Sequence, residues 1–358
     1  MTGGGGMKKL IIPVVILMLL LNGCSALSEG EYHSVKPHTS EAVKLPDDVV
    51  TVSDYAQVQD ALLEMVAAGK QQSTFYITGF DLEQADQYMR EAMNYVQENS
   101  AVGAYAVDNI QYESGTSGGV AAIAVEIQYI HGRQEILRIK SVTSMEGVKP
   151  LIGFAIKNCD SSVVIKVKEY QPFDMELFVQ DYANNNPDLC MEIPQIAVNV
   201  YPDKGQERVV EISFTYTNGR DSLRNMQNTV APIFSAAELY VQGSDDNSQK
   251  YEQLYSFLME RFDYTIETSI TPTYSLLRYG VGDSKAFALV YSAMCRNANL
   301  ECEVISGTRN GEAHYWNQIS YEGTEYHVDL LACNEAGEFA VMIPAEMSGY
   351  VWDYAPEQ

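Results

Sequence analysis

Two stretches of this chain share one pattern, and that recurrence constrains the fold more than any other feature. VAAIAVEIQYIHGR at 120–133 lines up with ERVVEISFTYTNGR at 207–220, a shift of 87 residues from 120 to 207. Ile123, Val125, Ile127 and Tyr129 recur at every second position in the first copy, and Val210, Ile212, Phe214 and Tyr216 in the second. A period of two places alternate side chains on one face, so each stretch predicts a half-buried strand, and the shared Gly-Arg predicts a turn after it. Upstream, FYITGF at 75–80 matches VVIKV at 163–167 at a similar shift. Each of these strands is followed by a helical stretch, LEQADQYMREAMNYVQ and MELFVQDYANN. A strand with one apolar face must bury it against a second layer, and a neighbouring helix supplies that layer. The expectation is two α+β units of βαβ-β type, each about 90 residues long, placed at 49–155 and 156–241. Neither copy shows a titratable cluster, so spacing, docking or binding is the role expected of them.

The rest of the chain sets outer limits. A length of 358 residues leaves room for a further domain. Apolar content of 46% with 24 tyrosines predicts a globular chain rather than a disordered one. Asp and Glu number 48 against 23 Lys and Arg, a net charge of −25, which argues against a nucleic-acid partner because phosphates require a basic surface. Six cysteines are present. Without Cys24 the remainder (Cys159, Cys190, Cys295, Cys302 and Cys333) is odd in number and lacks a C-x-x-C pair, which predicts neither a disulfide framework nor a zinc site. We read them as buried free thiols and expect no metal and no cofactor.

The N-terminus carries targeting information. Lys8 and Lys9 precede an uncharged apolar run from Leu10 to Leu21, followed by Asn22, Gly23 and Cys24. A positive n-region, a short apolar h-region and small residues at the cut predict a secretory signal over 1–24. The run is shorter than the roughly 20 residues of a spanning helix. Its end resembles a bacterial lipobox, which implies lipidation at Cys24 and an extracytoplasmic, membrane-anchored lipoprotein on the cell surface. MTGGGG at 1–6 has no place in such a signal, so Met7 is the expected start. Residues 25–48 are polar and without hydrophobic period, and predict a flexible tether with a reach of roughly 25–30 Å.

Turn-formers at 242–248 (QGSDDNS) separate the repeats from the C-terminal part, expected to begin at 247. There, Tyr251, Leu254, Tyr255, Leu258 and Phe262 follow helical spacing. In GVGDSKAFALVYSAMC (280–295), Asp283 or Ser284 can cap a helix whose apolar face is Phe287, Val290, Tyr291 and Met294. CEVISG at 302–307 predicts a strand. AHYWNQIS (313–320) and TEYHVDLL (324–331) predict two more around a Glu322-Gly323 turn. A two-residue turn pairs Trp316 with Asp329 and His314 with Leu331, which places His314, Trp316 and Asp329 on one face. His314 and Asp329 are then diagonal neighbours, roughly 7–8 Å apart at Cα, within reach for a carboxylate to orient an imidazole. Taken singly, Ser284 reads as a helix cap, His314 as a polar residue on a sheet face, and Trp316 as core. His327 suits support or solvent.

In combination, these residues resemble the bacterial transglutaminase-like family of the papain-like cysteine-peptidase superfamily, over about the last third of the chain. YSLLRYGVGDSKAFALVYSAMCRNANLECEVISG, EAHYWNQI, YHVDLL and SGYVWDYAPEQ carry the resemblance. It implies an α+β papain-like fold, with His314 as base, Asp329 as its orienting group, Trp316 as a wall of the cleft and Ser284 at the nucleophile position, its N–H contributing to an oxyanion site. It also implies a protein or peptide as substrate or ligand.

The family carries cysteine where this chain carries Ser284, and the difference has a large energetic consequence. A thiol of ordinary acidity loses its proton at neutral pH for about 2 kcal/mol. A neighbouring imidazole and a helix N-terminus, the latter worth up to ~2 kcal/mol, cover that. Taking water's value as a guide, an alkoxide costs on the order of 12 kcal/mol. Cys295, Cys302 and Cys333 offer no replacement nucleophile. The expectation is therefore a pseudoenzyme that binds peptide or protein. The alternative is an active acyl-transfer enzyme (a transglutaminase, peptidase or amidase) using Ser284, or a cysteine in its place, with His314 and Asp329. A purely structural surface protein would leave His314 and Asp329 unexplained.

Overall fold

The computed structural model describes residues 49–353 apart from position 245, so the signal, Cys24 and the tether at 25–48 lie outside the described residues. The first unit runs β1 (Val50–Val52), α1 (Tyr55–Ala67), β2 (Gln72–Ile77), α2 (Leu82–Glu98), α3 (Ala101–Ala106), β3 (Val107–Ser117) and β4 (Val120–Tyr129). Asp54 and Asp81 start α1 and α2 by accepting the N–H of Gln57 and Gln84. Leu62 and Met65 on α1 and Met89 and Val96 on α2 then bury against Phe75, Ile123, Val125 and Ile127 of the sheet. Strand order is β1-β2-β4-β3, with β1 parallel to β2 and the other neighbours antiparallel.

The second unit repeats this plan. After α4 (Arg133–Arg138) come β5 (Lys140–Ser144), α5 (Val148–Lys157), β6 (Ser162–Glu169), α6 (Met175–Asn185), β7 (Gln195–Tyr201) and β8 (Arg208–Thr215). The order β5-β6-β8-β7 has the same polarity at every step. Ile152, Ile156 and Val179 cover Ile165, Val167, Val210, Ile212 and Phe214. The boundary expected at 155/156 falls inside α5 and does not divide the units. Parallel pairing of β5 with β6 requires α5 as the crossover between them, so the second unit opens near 140. The repeat visible in sequence marks the later strands of each unit, where alternation is strongest.

The C-terminal body also begins earlier than 247. α7 (Arg220–Val241) buries Val230, Phe234, Ala237 and Val241 in one core with Tyr251, Leu254 and Leu258 of α8 (Asn247–Met259). The turn-formers at 242–248 thus join two packed helices instead of dividing two domains. Next come β9 (Asp263–Tyr264), α9 (Pro272–Tyr279), β10 (Val281–Gly282) and α10 (Ser284–Asn297). Every residue of α10 from Ala286 to Cys295 is buried. Such a helix must be enclosed on all sides, here by the other helices and by the sheet of β11 (Cys302–Arg309), β12 (Glu312–Tyr321), β13 (Thr324–Val328) and β14 (Tyr350–Trp352). Two buried tyrosine hydroxyls there are paired: Tyr291 donates to the Tyr251 carbonyl at 3.0 Å, and Tyr251 to that of Glu301 at 2.7 Å.

The sheet runs β13-β12-β11-β14. Tyr321 pairs with Thr324 across Glu322 and Gly323, both at positive φ (51° and 77°), as a two-residue hairpin turn of this twist demands. One expectation is corrected beyond the turn. TEYHVDLL is not one strand: β13 stops at Val328, and Asp329 caps α11 (Leu330–Ala336). His314 accordingly has Gly307 of β11 as its strand partner, and Leu331 is helical.

Candidate functional site

Ser284 is the first residue of α10, and the cap belongs to Asp283, whose carboxylate accepts the Ala286 N–H at 2.9 Å. That separates the two readings of GVGDSK: capping does not require the serine. Ser284 is 8% exposed, and its Oγ accepts the N–H of Tyr315 at 3.3 Å, so it lies against the peptide that follows His314. Its hydroxyl forms no hydrogen bond with His314 among the described residues. Lys285, next on the helix, holds its ammonium 5.5 Å from the centre of the Tyr315 ring, and burial pushes its pKa down.

The imidazole and the carboxylate meet directly. His314 Nε2 lies 2.8 Å from Asp329 Oδ2, with His314 8% and Asp329 0% exposed. Asp329 Oδ1 accepts the N–H groups of Leu331 and Ala332 at 3.1 and 3.2 Å, which is its work as the α11 cap. Its Oδ2 also accepts the Tyr350 hydroxyl at 2.6 Å, and the Arg309 guanidinium stands 3.7 Å away. Burial alone would raise this carboxyl, but the hydrogen bonds from His314, Tyr350 and the Ala332 N–H bring it below its ordinary value. An ionised carboxylate on Nε2 fixes the neutral ring with its proton there and leaves Nδ1 as the basic nitrogen.

The structure therefore brings Ser284, His314 and Asp329 together, from the start of a buried helix, a central strand and a strand-to-helix corner. Trp316 is placed differently from the expectation. It is fully buried, edge-on to Tyr350 and Trp352 at 5.3 and 5.6 Å, and its indole N–H donates to His327 Nδ1 at 3.2 Å. A side chain with no exposed surface supports the His314 strand and does not line an open cleft. The physical reason is β14, which pairs along the edge of β11 and sets the Tyr350 and Trp352 rings against the indole. Gly307 permits this approach, since a Cβ there would stand 2.0 Å from the Val351 carbonyl oxygen. His327 is the acceptor for the indole, and burial lowers its pKa. Asn317 ties β12 to α10 by donating to the Ala288 carbonyl at 2.9 Å.

Tyr350 and Arg309 are the residues that sequence reasoning missed. Tyr350 belongs to the SGYVWDYAPEQ stretch, and nothing in its spacing from Asp329 announces the contact. The signal that could have found it is the short aromatic strand Tyr350–Trp352 itself, which has β propensity and needs an edge to pair with.

Chemically, the arrangement offers a base held by an ionised carboxylate beside a hydroxyl at a helix N-terminus, where backbone N–H groups favour developing negative charge. Residues 235–329 match the model of the transglutaminase-like superfamily. None of the curated proteins compared with the chain matches it. Solved structures similar to it include a TGase, at 9% identity and a TM-score of 0.26, covering 47% of this chain and 50% of that one. A candidate cysteine protease from Cytophaga hutchinsonii is similar at 11% identity and a TM-score of 0.27, covering 44% and 70%. The periplasmic domain of TgpA from Pseudomonas aeruginosa is similar at 18% identity and a TM-score of 0.25, covering 36% and 56%. The chain thus spans about half the length of the first of these. The matched segment runs from within α7 to the Asp329 cap, and the C-terminal body of this chain is a transglutaminase-like domain.

Proposed function

We propose that this chain is a membrane-anchored extracytoplasmic lipoprotein whose transglutaminase-like domain is catalytically silent and binds a peptide or protein. The observation that supports silence is at Ser284: its Oγ accepts from the Tyr315 N–H and carries no hydrogen bond to His314. A serine can act only if a base removes its proton in the transition state, because the site cannot hold an alkoxide beforehand. The intact His314–Asp329 pair at 2.8 Å favours the alternative, an active acyl-transfer enzyme (transglutaminase, peptidase or amidase). An assay separates the two. The unaltered chain is expected to hydrolyse or transfer from no member of a panel of acyl-amide and glutamine-containing peptides, matching Ser284→Ala. Turnover that Ser284→Ala abolishes would establish the enzyme instead.

Anchoring rests on Cys24 and the signal before it. With Cys24→Ser, lipid labelling is expected to vanish and the exported protein to move from the membrane to the soluble fraction. Retention in the membrane without the lipid would refute the anchor.

A further inference from the structure

We propose that Tyr350 is a positioning residue for the retained site, acting through Asp329 to set how strongly the carboxylate holds His314. Three donors converge on Asp329 Oδ2: His314 Nε2 at 2.8 Å, the Tyr350 hydroxyl at 2.6 Å and the Arg309 guanidinium at 3.7 Å. A carboxylate oxygen that already serves a phenol and stands beside a cation has less charge to offer an imidazole. The cap bonds occupy the other oxygen, Oδ1, so at Oδ2 Tyr350 competes with His314 and not with the cap.

The phenol reaches this place through deliberate-looking architecture. Tyr350 to Trp352 form an edge strand on β11, with Arg309 opposite Tyr350 and Gly307 opposite Trp352. The glycine admits the strand, and the Arg309 guanidinium lies 5.9 Å from the Tyr350 ring centre while also bonding Glu335 at 2.8 Å. A phenol used only for packing would not need a buried carboxylate as its acceptor. The charged and titratable groups around His314 are Asp329 from the α11 cap, Tyr350 from β14, Arg309 from β11 with its partner Glu335 from α11, and Asp283 and Lys285 beside Ser284 on α10. Of these, Tyr350 bonds the oxygen that His314 uses, and the Arg309 guanidinium stands 3.7 Å from it.

The inference rests on reading Ser284, His314 and Asp329 as one retained site, but its first readout needs only the imidazole and the carboxylate. In Tyr350→Phe the His314–Asp329 bond is expected to tighten, moving the low-field Nε2 proton of His314 further downfield in the NMR spectrum, as a strengthened charge-assisted bond does. In the Ser284→Cys background the same change is expected to shift the pH midpoint of iodoacetamide alkylation toward acid, because a better-held imidazolium favours the thiolate. Should Tyr350→Phe fail to fold, Arg309→Gln carries the test, with shifts of the same sign. A lower melting temperature with both signals unmoved would reduce Tyr350 to a packing residue and overturn the proposal. The NMR signal does not depend on whether the domain binds peptide or turns over substrate, so failure here is distinguishable from failure of the functional reading.

Discussion

Asp329→Ala is expected to destabilise the C-terminal body by about 3–5 kcal/mol, the range for removing one partner of a buried, hydrogen-bonded charge. The substitution leaves the His314 ring N–H, the Tyr350 hydroxyl and the N–H groups of Leu331 and Ala332 without their acceptor. It also strips α11 of its cap, so the corner after β13 loses its anchor. The urea midpoint checks this. pH gives a second signature. Because the folded pKa of Asp329 lies below its ordinary value of 3.8, the carboxylate's contribution is complete above that value. It is lost as pH falls through the lower, folded value. The stability gap between the unaltered chain and the alanine variant should therefore be widest at neutral pH and close in acid. A gap that stays constant down to pH 2 would show that ionisation is not the source.

Ser284→Cys is expected to create a thiol that alkylates at least tenfold faster near pH 6 than an ordinary thiol, an order-of-magnitude figure for a pKa lowered by a unit or more. The new sulfur would stand at the start of α10, beside the peptide following His314. A helix N-terminus and an imidazole held by an ionised carboxylate both favour the thiolate. Background from Cys159, Cys190, Cys295 and Cys333 is low, since burial pushes their thiols up, away from reaction, and the partly exposed Cys302 is replaced by serine for the measurement. Mass spectrometry of the alkylated chain reads the site, and adding His314→Ala should cancel the acceleration. Reactivity no greater than that of a free cysteine, and indifferent to His314, would mean that the site no longer supports a nucleophile of any kind.

Much of this was legible from residue pattern because its physical cause is local. Alternation at Ile123, Val125 and Ile127 and at Val210, Ile212 and Phe214 is imposed by the two faces of a strand, and those side chains fill the core beneath the helices. The Glu322-Gly323 turn sets the hairpin register by its own backbone geometry, which holds for the pairs from Tyr321–Thr324 to Asn317–Val328. Where the cause is non-local, pattern reasoning stopped short. HVDLL reads equally as strand or as strand-to-helix corner. The deciding fact is that Asp329 accepts the α11 N–H groups, which happens only once the helix has somewhere to pack. The same holds for α7, whose apolar face acquires meaning through α8 and α10, and for α5, whose place follows from the pairing of β5 with β6.

The sequence by itself determined the repeat, the hairpin register and the identity of Ser284, His314 and Asp329, since turn chemistry, strand period and residue type are properties of short segments. Only the tertiary structure decided that Asp283 rather than Ser284 caps α10, that Trp316 is covered by β14, and that Tyr350 and Arg309 share Asp329 with His314. The relations of Trp316, Tyr350 and Arg309 join positions far apart in the chain, and the choice of cap, though local, depends on which of two adjacent side chains the packed helix turns toward the Ala286 N–H. A buried carboxylate takes whichever donors the packed fold delivers to it, and no local rule names them.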